Sequence, residues 1–114
     1  MQGPLQVTFE NIEHSNAIET RIGDDWKKLE SLSDGVTSAR LVVDRPQHRH
    51  HKGDSYQVRI HLTVAGAADI AVSRDPDVTD AHDDVYVTIR DAFKATRRQL
   101  QDLASKRQGK VEER

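Results

Sequence analysis

The stretch "HRHHKGDSYQVRIHLTV" at residues 48–64 sets His48, His50, His51 and His61 close together in the chain. Imidazole nitrogens ligate divalent metals, but a structural zinc site takes four fixed ligands, with pairs at offsets such as H-x3-5-H and partners behind them. Three of these histidines instead crowd a loop bounded by Pro46 and Gly53, interleaved with Arg49 and Lys52, whose charge repels a dication. No metal and no other cofactor is expected. A solvated hairpin tip remains open as a reading, and so does a basic loop that touches an anion, more strongly once falling pH charges the imidazoles. Covalent and acid/base chemistry have less footing still. There is no cysteine, and no Ser/His/Asp arrangement, phosphate-cradling glycine loop or HExxH is visible. The carboxylates of "DPDVTDAHDD" suit a helix N-terminus, where the dipole favours acids, with His82 exposed among them. The chain is expected to be no enzyme and to take no small-molecule substrate.

The other reactive groups are cations. A net charge of −2 argues against a uniformly basic nucleic-acid binder, but the charges are unevenly spread. Residues 10–34 hold seven acids (Glu10, Glu13, Glu19, Asp24, Asp25, Glu30, Asp34) against Arg21, Lys27 and Lys28. Residues 90–110 hold seven bases (Arg90, Lys94, Arg97, Arg98, Lys106, Arg107, Lys110) against Asp91 and Asp102. Bases presented together are the electrostatic footprint of phosphate binding, and they supply affinity rather than sequence readout. An ordinary solvated helix face is the plain alternative for Arg90, Lys94, Arg97 and Arg98. The second basic element, Arg45 to Lys52, weighs against it.

Those residues must be positioned by regular elements. In "PLQVTFE" Leu5, Val7 and Phe9 alternate with Gln6, Thr8 and Glu10, the period of a half-buried strand. In "HSNAIETRIGDDWKKLESLS" the period becomes helical, with Ile18, Ile22, Trp26, Leu29 and Leu32 on one side, Ser15 as N-cap, and "SDG" at 33–35 as the stop. Gly23 is a mild cost inside that helix. "VTSARLVVD" turns Ala39, Leu41 and Val43 inward, "SYQVRIHLTV" does so with Tyr56, Val58, Ile60, Leu62 and Val64, and "ADIAVS" with Ala68, Ile70 and Val72. After a loop at Pro76, a second helix is expected, capped by Thr79 or Asp80 with Asp80, Asp83 and Asp84 in its first turn. At about 100° per residue, Val85, Ile89, Ala92, Phe93, Thr96, Leu100 and Leu103 gather within one third of its wheel, with Arg90, Lys94, Arg97, Arg98 and Gln101 opposite. Arg107 would return to the apolar stripe, so this helix must overhang its support or end near Ser105.

The order β-α-β-β-β-α contains no repeat. A helical crossover makes the first two strands parallel if they are neighbours, and short links make the last three an antiparallel meander. One apolar face per strand and one stripe per helix predict an α+β, two-layer sandwich: a four-stranded mixed sheet with both helices on one face. Gln6, Thr8, Arg40, Arg59 and His61 would then occupy the open sheet face. The 114 residues suffice for one compact core, and 35% hydrophobic against 32% charged residues suits a small soluble domain. Residues 1–105 are expected to form that single domain, and residues 106–114 a charged, flexible tail. No apolar run approaches the roughly 18 residues of a membrane span, and "MQGPLQVTFE" lacks a signal-peptide layout, so a cytoplasmic protein without membrane contact is expected.

The element order together with "HKGDSYQVRIHLTVAG", "DIAVSRDP" and "DVYVTIRDAFKATRRQLQDLASKRQGKV" resembles the ribosome hibernation-promoting factors. That family is also known as ribosome-associated inhibitor A, or the sigma-54 modulation/S30EA family. The resemblance runs from about Leu5 to Val111 and is densest over residues 52–110. It implies a double-stranded-RNA-binding-like fold and a bacterial, non-enzymatic inhibitor of translation that binds 16S ribosomal RNA in the messenger and transfer RNA channel of the small subunit. It further implies that Arg90, Lys94, Arg97 and Arg98, with Lys106 and Arg107 beyond, lie against that RNA. Arg49 and Lys52 of the hairpin loop and Arg40 and Arg59 of the open face would add contacts. Two other functions compete with it: a protein-interaction module using the open sheet face, and a metal-binding protein using the histidine loop.

Overall fold

The computed structural model describes residues 5–31, 35–45, 56–74 and 85–112, with the side chains of 104 and 106–112 left aside. The elements run β1 (Leu5–Glu10), α1 (Asn16–Glu30), β2 (Val36–Asp44), β3 (Gln57–Val64), β4 (Ile70–Arg74) and α2 (Val85–Glu112). The sheet order is β1-β2-β3-β4, with β1 parallel to β2 and the other pairs antiparallel. The expected α+β architecture is the observed one.

Alternation decides which sheet face is covered. Ala39, Leu41 and Val43 of β2, Val58, Ile60, Leu62 and Val64 of β3, and Ile70 and Val72 of β4 are buried. Ile18, Ile22, Trp26 and Leu29 of α1 meet them, as do Val85, Ile89, Ala92, Phe93 and Leu100 of α2, in one contiguous core. Each large side chain so buried stabilises the fold by roughly 1.5–3 kcal/mol. Thr96 is fully enclosed on the same stripe, where its hydroxyl donates to the Ala92 carbonyl at 2.8 Å, so no polar atom is stranded. Leu5, Val7 and Phe9 alternate as expected but are only partly buried, because β1 is an edge strand.

Helix ends follow local chemistry. Ser15 is the N-cap of α1, its hydroxyl oxygen accepting from the Ile18 amide at 3.2 Å. Such a cap contributes about 1 kcal/mol. The helix closes on Ser31, whose amide reaches the Lys27 carbonyl at 3.2 Å and whose hydroxyl reaches that of Lys28 at 2.8 Å. Leu32 and residues 33–34 of the anticipated stop lie outside the described residues, as do the anticipated caps and first-turn acids before α2.

Two expectations about extent are resolved. Ala68 does not point inward; it is exposed and precedes the strand. The β3–β4 connection turns at Ala65–Gly66 with Gly66 at φ 73°, and inward alternation resumes only where Leu62 faces Ile70 in the ladder. At the other end, α2 continues past Ser105 to Glu112. Its 28 residues rise about 42 Å, against about 30 Å for the nine residues of β2, so the helix overhangs the sheet.

Candidate nucleic-acid interface

The apolar stripe that fixes α2 to the sheet also fixes what it shows to water. Arg90, Lys94, Arg97 and Arg98 are all exposed on the outer side of the helix layer. From Arg90 to Arg98 the axis advances about 12 Å, long enough to follow several phosphates of one strand at about 3.4 Å of rise per nucleotide. Arg90 has a carboxylate neighbour, with Nη2 3.4 Å from Asp91 Oδ1, but both side chains are about half open to water or more. Such a pair contributes at most about 1 kcal/mol and leaves the guanidinium available to a phosphate. Among the described residues Lys94, Arg97 and Arg98 have no ion pair, although Asp102 stands one turn beyond Arg98.

Beside this row lie two residues that sequence reasoning passed over. Arg21 of α1 donates from Nε to Asp25 Oδ2 at 3.2 Å, and its guanidinium carbon sits 5.9 Å from the centroid of the Tyr86 ring. Tyr86, one turn before Arg90, is the only large hydrophobic residue exposed among the described residues. Its four-residue spacing from Arg90 was a readable signal. Nothing in the sequence announced that Arg21 would meet it.

The open sheet face is built differently. Register aligns Gln6, Arg40, His61 and Ala71 in one cross-strand row and Thr8, Val42, Arg59 and Ser73 in the next. Together with Glu10 they line a shallow groove of about 700 Å³. Arg59 is held by carboxylates, with Nη2 3.1 Å from Glu10 Oε1 and Nη1 3.4 Å from Asp44 Oδ2, and it also donates to Gln57 Oε1. The Asp44 side chain is 10% exposed and accepts a further bond from Asn11 Nδ2 at 2.8 Å. Asn11 itself adopts the left-handed conformation at φ 63°, which asparagine tolerates better than most residues. His61 Nε2 is 3.2 Å from Asp69 Oδ2, and both are half exposed. Arg40 alone of these cations has no ion pair among the described residues.

The candidate cations are therefore not all on one side. Arg90, Lys94, Arg97 and Arg98 share the outer helix face, while Arg40 and Arg59 sit on the opposite surface with the whole core between. The loop residues His48, Arg49, His50, His51 and Lys52 lie outside the described residues, and so do the side chains of Lys106 and Arg107. Among the described residues no three metal-ligating side chains cluster, and no helix is long and apolar enough to cross a membrane.

Comparison with known proteins agrees with the architecture. No curated protein matches the chain significantly. Among solved structures, a ribosomal subunit interface protein from Coxiella burnetii superposes with a TM-score of 0.70 at 14% identity, covering 89% of this chain and 97% of that one. The N-terminal domain of Protein Y from Thermus thermophilus gives 0.66 at 19% identity, covering 88% and 98%. At such identities the likeness establishes the fold. Residues 5–108 match the family described as Sigma 54 modulation protein / S30EA ribosomal protein, and the chain belongs to that family of ribosome-associated factors.

Proposed function

We propose that this protein is a non-enzymatic, cytoplasmic inhibitor of translation that binds the small ribosomal subunit through 16S ribosomal RNA and occludes the channel used by messenger and transfer RNA. The observation that carries this reading is the row of four exposed cations on the outer face of α2, three of them without an ion pair among the described residues. A phosphate backbone supplies the complementary charge, and a rigid two-layer domain docked there excludes other RNA by volume alone. The names of the two structural neighbours, a ribosomal subunit interface protein and Protein Y, support the same partner. Beyond this row the α2 backbone continues to Glu112. The charge-compensated groove on the other face favours a second, lesser reading, a protein contact insensitive to salt. The test is a sucrose-gradient profile of starved cells. The protein should travel with small subunits and leave them as salt rises; its remaining at the top of the gradient would refute the reading.

A further inference from the structure

We infer that Tyr86 is a stacking platform for an unpaired base of ribosomal RNA, set at the start of the phosphate-binding row on α2. The inference rests on the ribosome-binding reading and goes beyond it, because cations alone bind backbone irrespective of strandedness. Tyr86 has no core role: it stands on the solvent side of α2, 36% exposed, where every other large apolar side chain of the described residues is buried or half-buried. It is placed by its neighbours. Arg21, anchored on Asp25 at 3.2 Å, sits 5.9 Å from the ring centroid and restrains it from the α1 side. Arg90 follows one helical turn later and Lys94 a turn after that, so a nucleotide whose base lay on the ring would present its next phosphates to this row. An aromatic ring beside a track of cations is the arrangement by which proteins hold single-stranded nucleic acid, the cations taking phosphates and the ring taking a base of any type.

The experiment compares the whole chain with Tyr86→Phe, Tyr86→Leu and Tyr86→Ala for binding to isolated 30S subunits, and to a short RNA presented single-stranded or as a duplex. Thermal melts verify that each variant is folded, which the exposure of the ring favours. Tyr86→Phe should stay within about twofold, while the Leu and Ala variants should bind subunits about tenfold more weakly with an unchanged salt slope, and lose any preference for the single strand. Parent-like binding by Tyr86→Ala, with the charge-row variant Arg90/Lys94/Arg97/Arg98→Ala still defective, would overturn the stacking role alone. Parent-like binding by both, or no binding by the parent, would overturn the ribosomal RNA reading as well. Equal weakening by Tyr86→Phe would overturn the platform too, since the hydroxyl rather than the ring would be the contact.

Discussion

The two broad faces of this domain carry similar residue types to different ends. On the outer face of α2, cations stand along one helix with a single exposed carboxylate partner, at Arg90. On the open sheet face, Arg59 is clasped by Glu10 and Asp44 and His61 by Asp69, so most positive charge is answered inside the molecule. A helix lays its polar residues in a row with neighbours chosen by local sequence. A sheet sets residues from distant segments side by side, and here those neighbours are acids. The larger difference is in pairing: among the described residues Lys94, Arg97 and Arg98 of the helix face have no ion pair, whereas on the sheet face only Arg40 lacks one.

The comparison breaks most readily at the helix. Changing Arg90, Lys94, Arg97 and Arg98 together to Ala should weaken binding to 30S subunits by at least about 100-fold and flatten the log–log salt dependence by about three, read in sedimentation at several salt concentrations. Retained binding would mean that the row is only a solvated face. On the sheet face the expected effect is on stability: Asp44→Ala removes the acceptor shared by Arg59 and Asn11 and should cost about 2 kcal/mol in denaturant unfolding, with ribosome binding retained. A control that touches neither face is Gly23→Ala. A methyl group there meets nothing within 4 Å, so α1 should gain about 0.5–1 kcal/mol, seen as a raised melting temperature at constant affinity. The smallest effect should come from Arg40→Ala, within about twofold of parental affinity; a loss as large as that of the helix variant would show that RNA reaches both sides of the domain.

Strand alternation in β2 and β3 and the 3.6-residue period in both helices were plain in the sequence, because burial of one face imposes them on every turn. Alternation failed at Ala68 because it was carried backward through a turn that resets which way side chains point. The helix row was legible for the same reason as the core: fixing the apolar stripe fixes its opposite. The pairing of Arg59 was not. Glu10 lies 49 residues away, and it meets Arg59 only because the parallel register puts Glu10 beside Asp44 and the antiparallel one puts Asp44 beside Gln57. The approach of Arg21 to Tyr86 likewise depends on how α1 lies beside α2, which neither helix encodes alone.

The edge position of β1 has a consequence for that silenced face. This strand is joined to the sheet through β2 alone, and its apolar side chains are only partly covered, so it is the segment whose detachment would expose the least core. Detachment would carry away Glu10 and leave Arg59 with less opposing charge. Release of β1 would remove only the Glu10 pair and shift the groove modestly toward positive charge, because Asp44 would still face Arg59 and Asp69 would still face His61. Amide hydrogen exchange that runs fastest along residues 5–10 would be its signature.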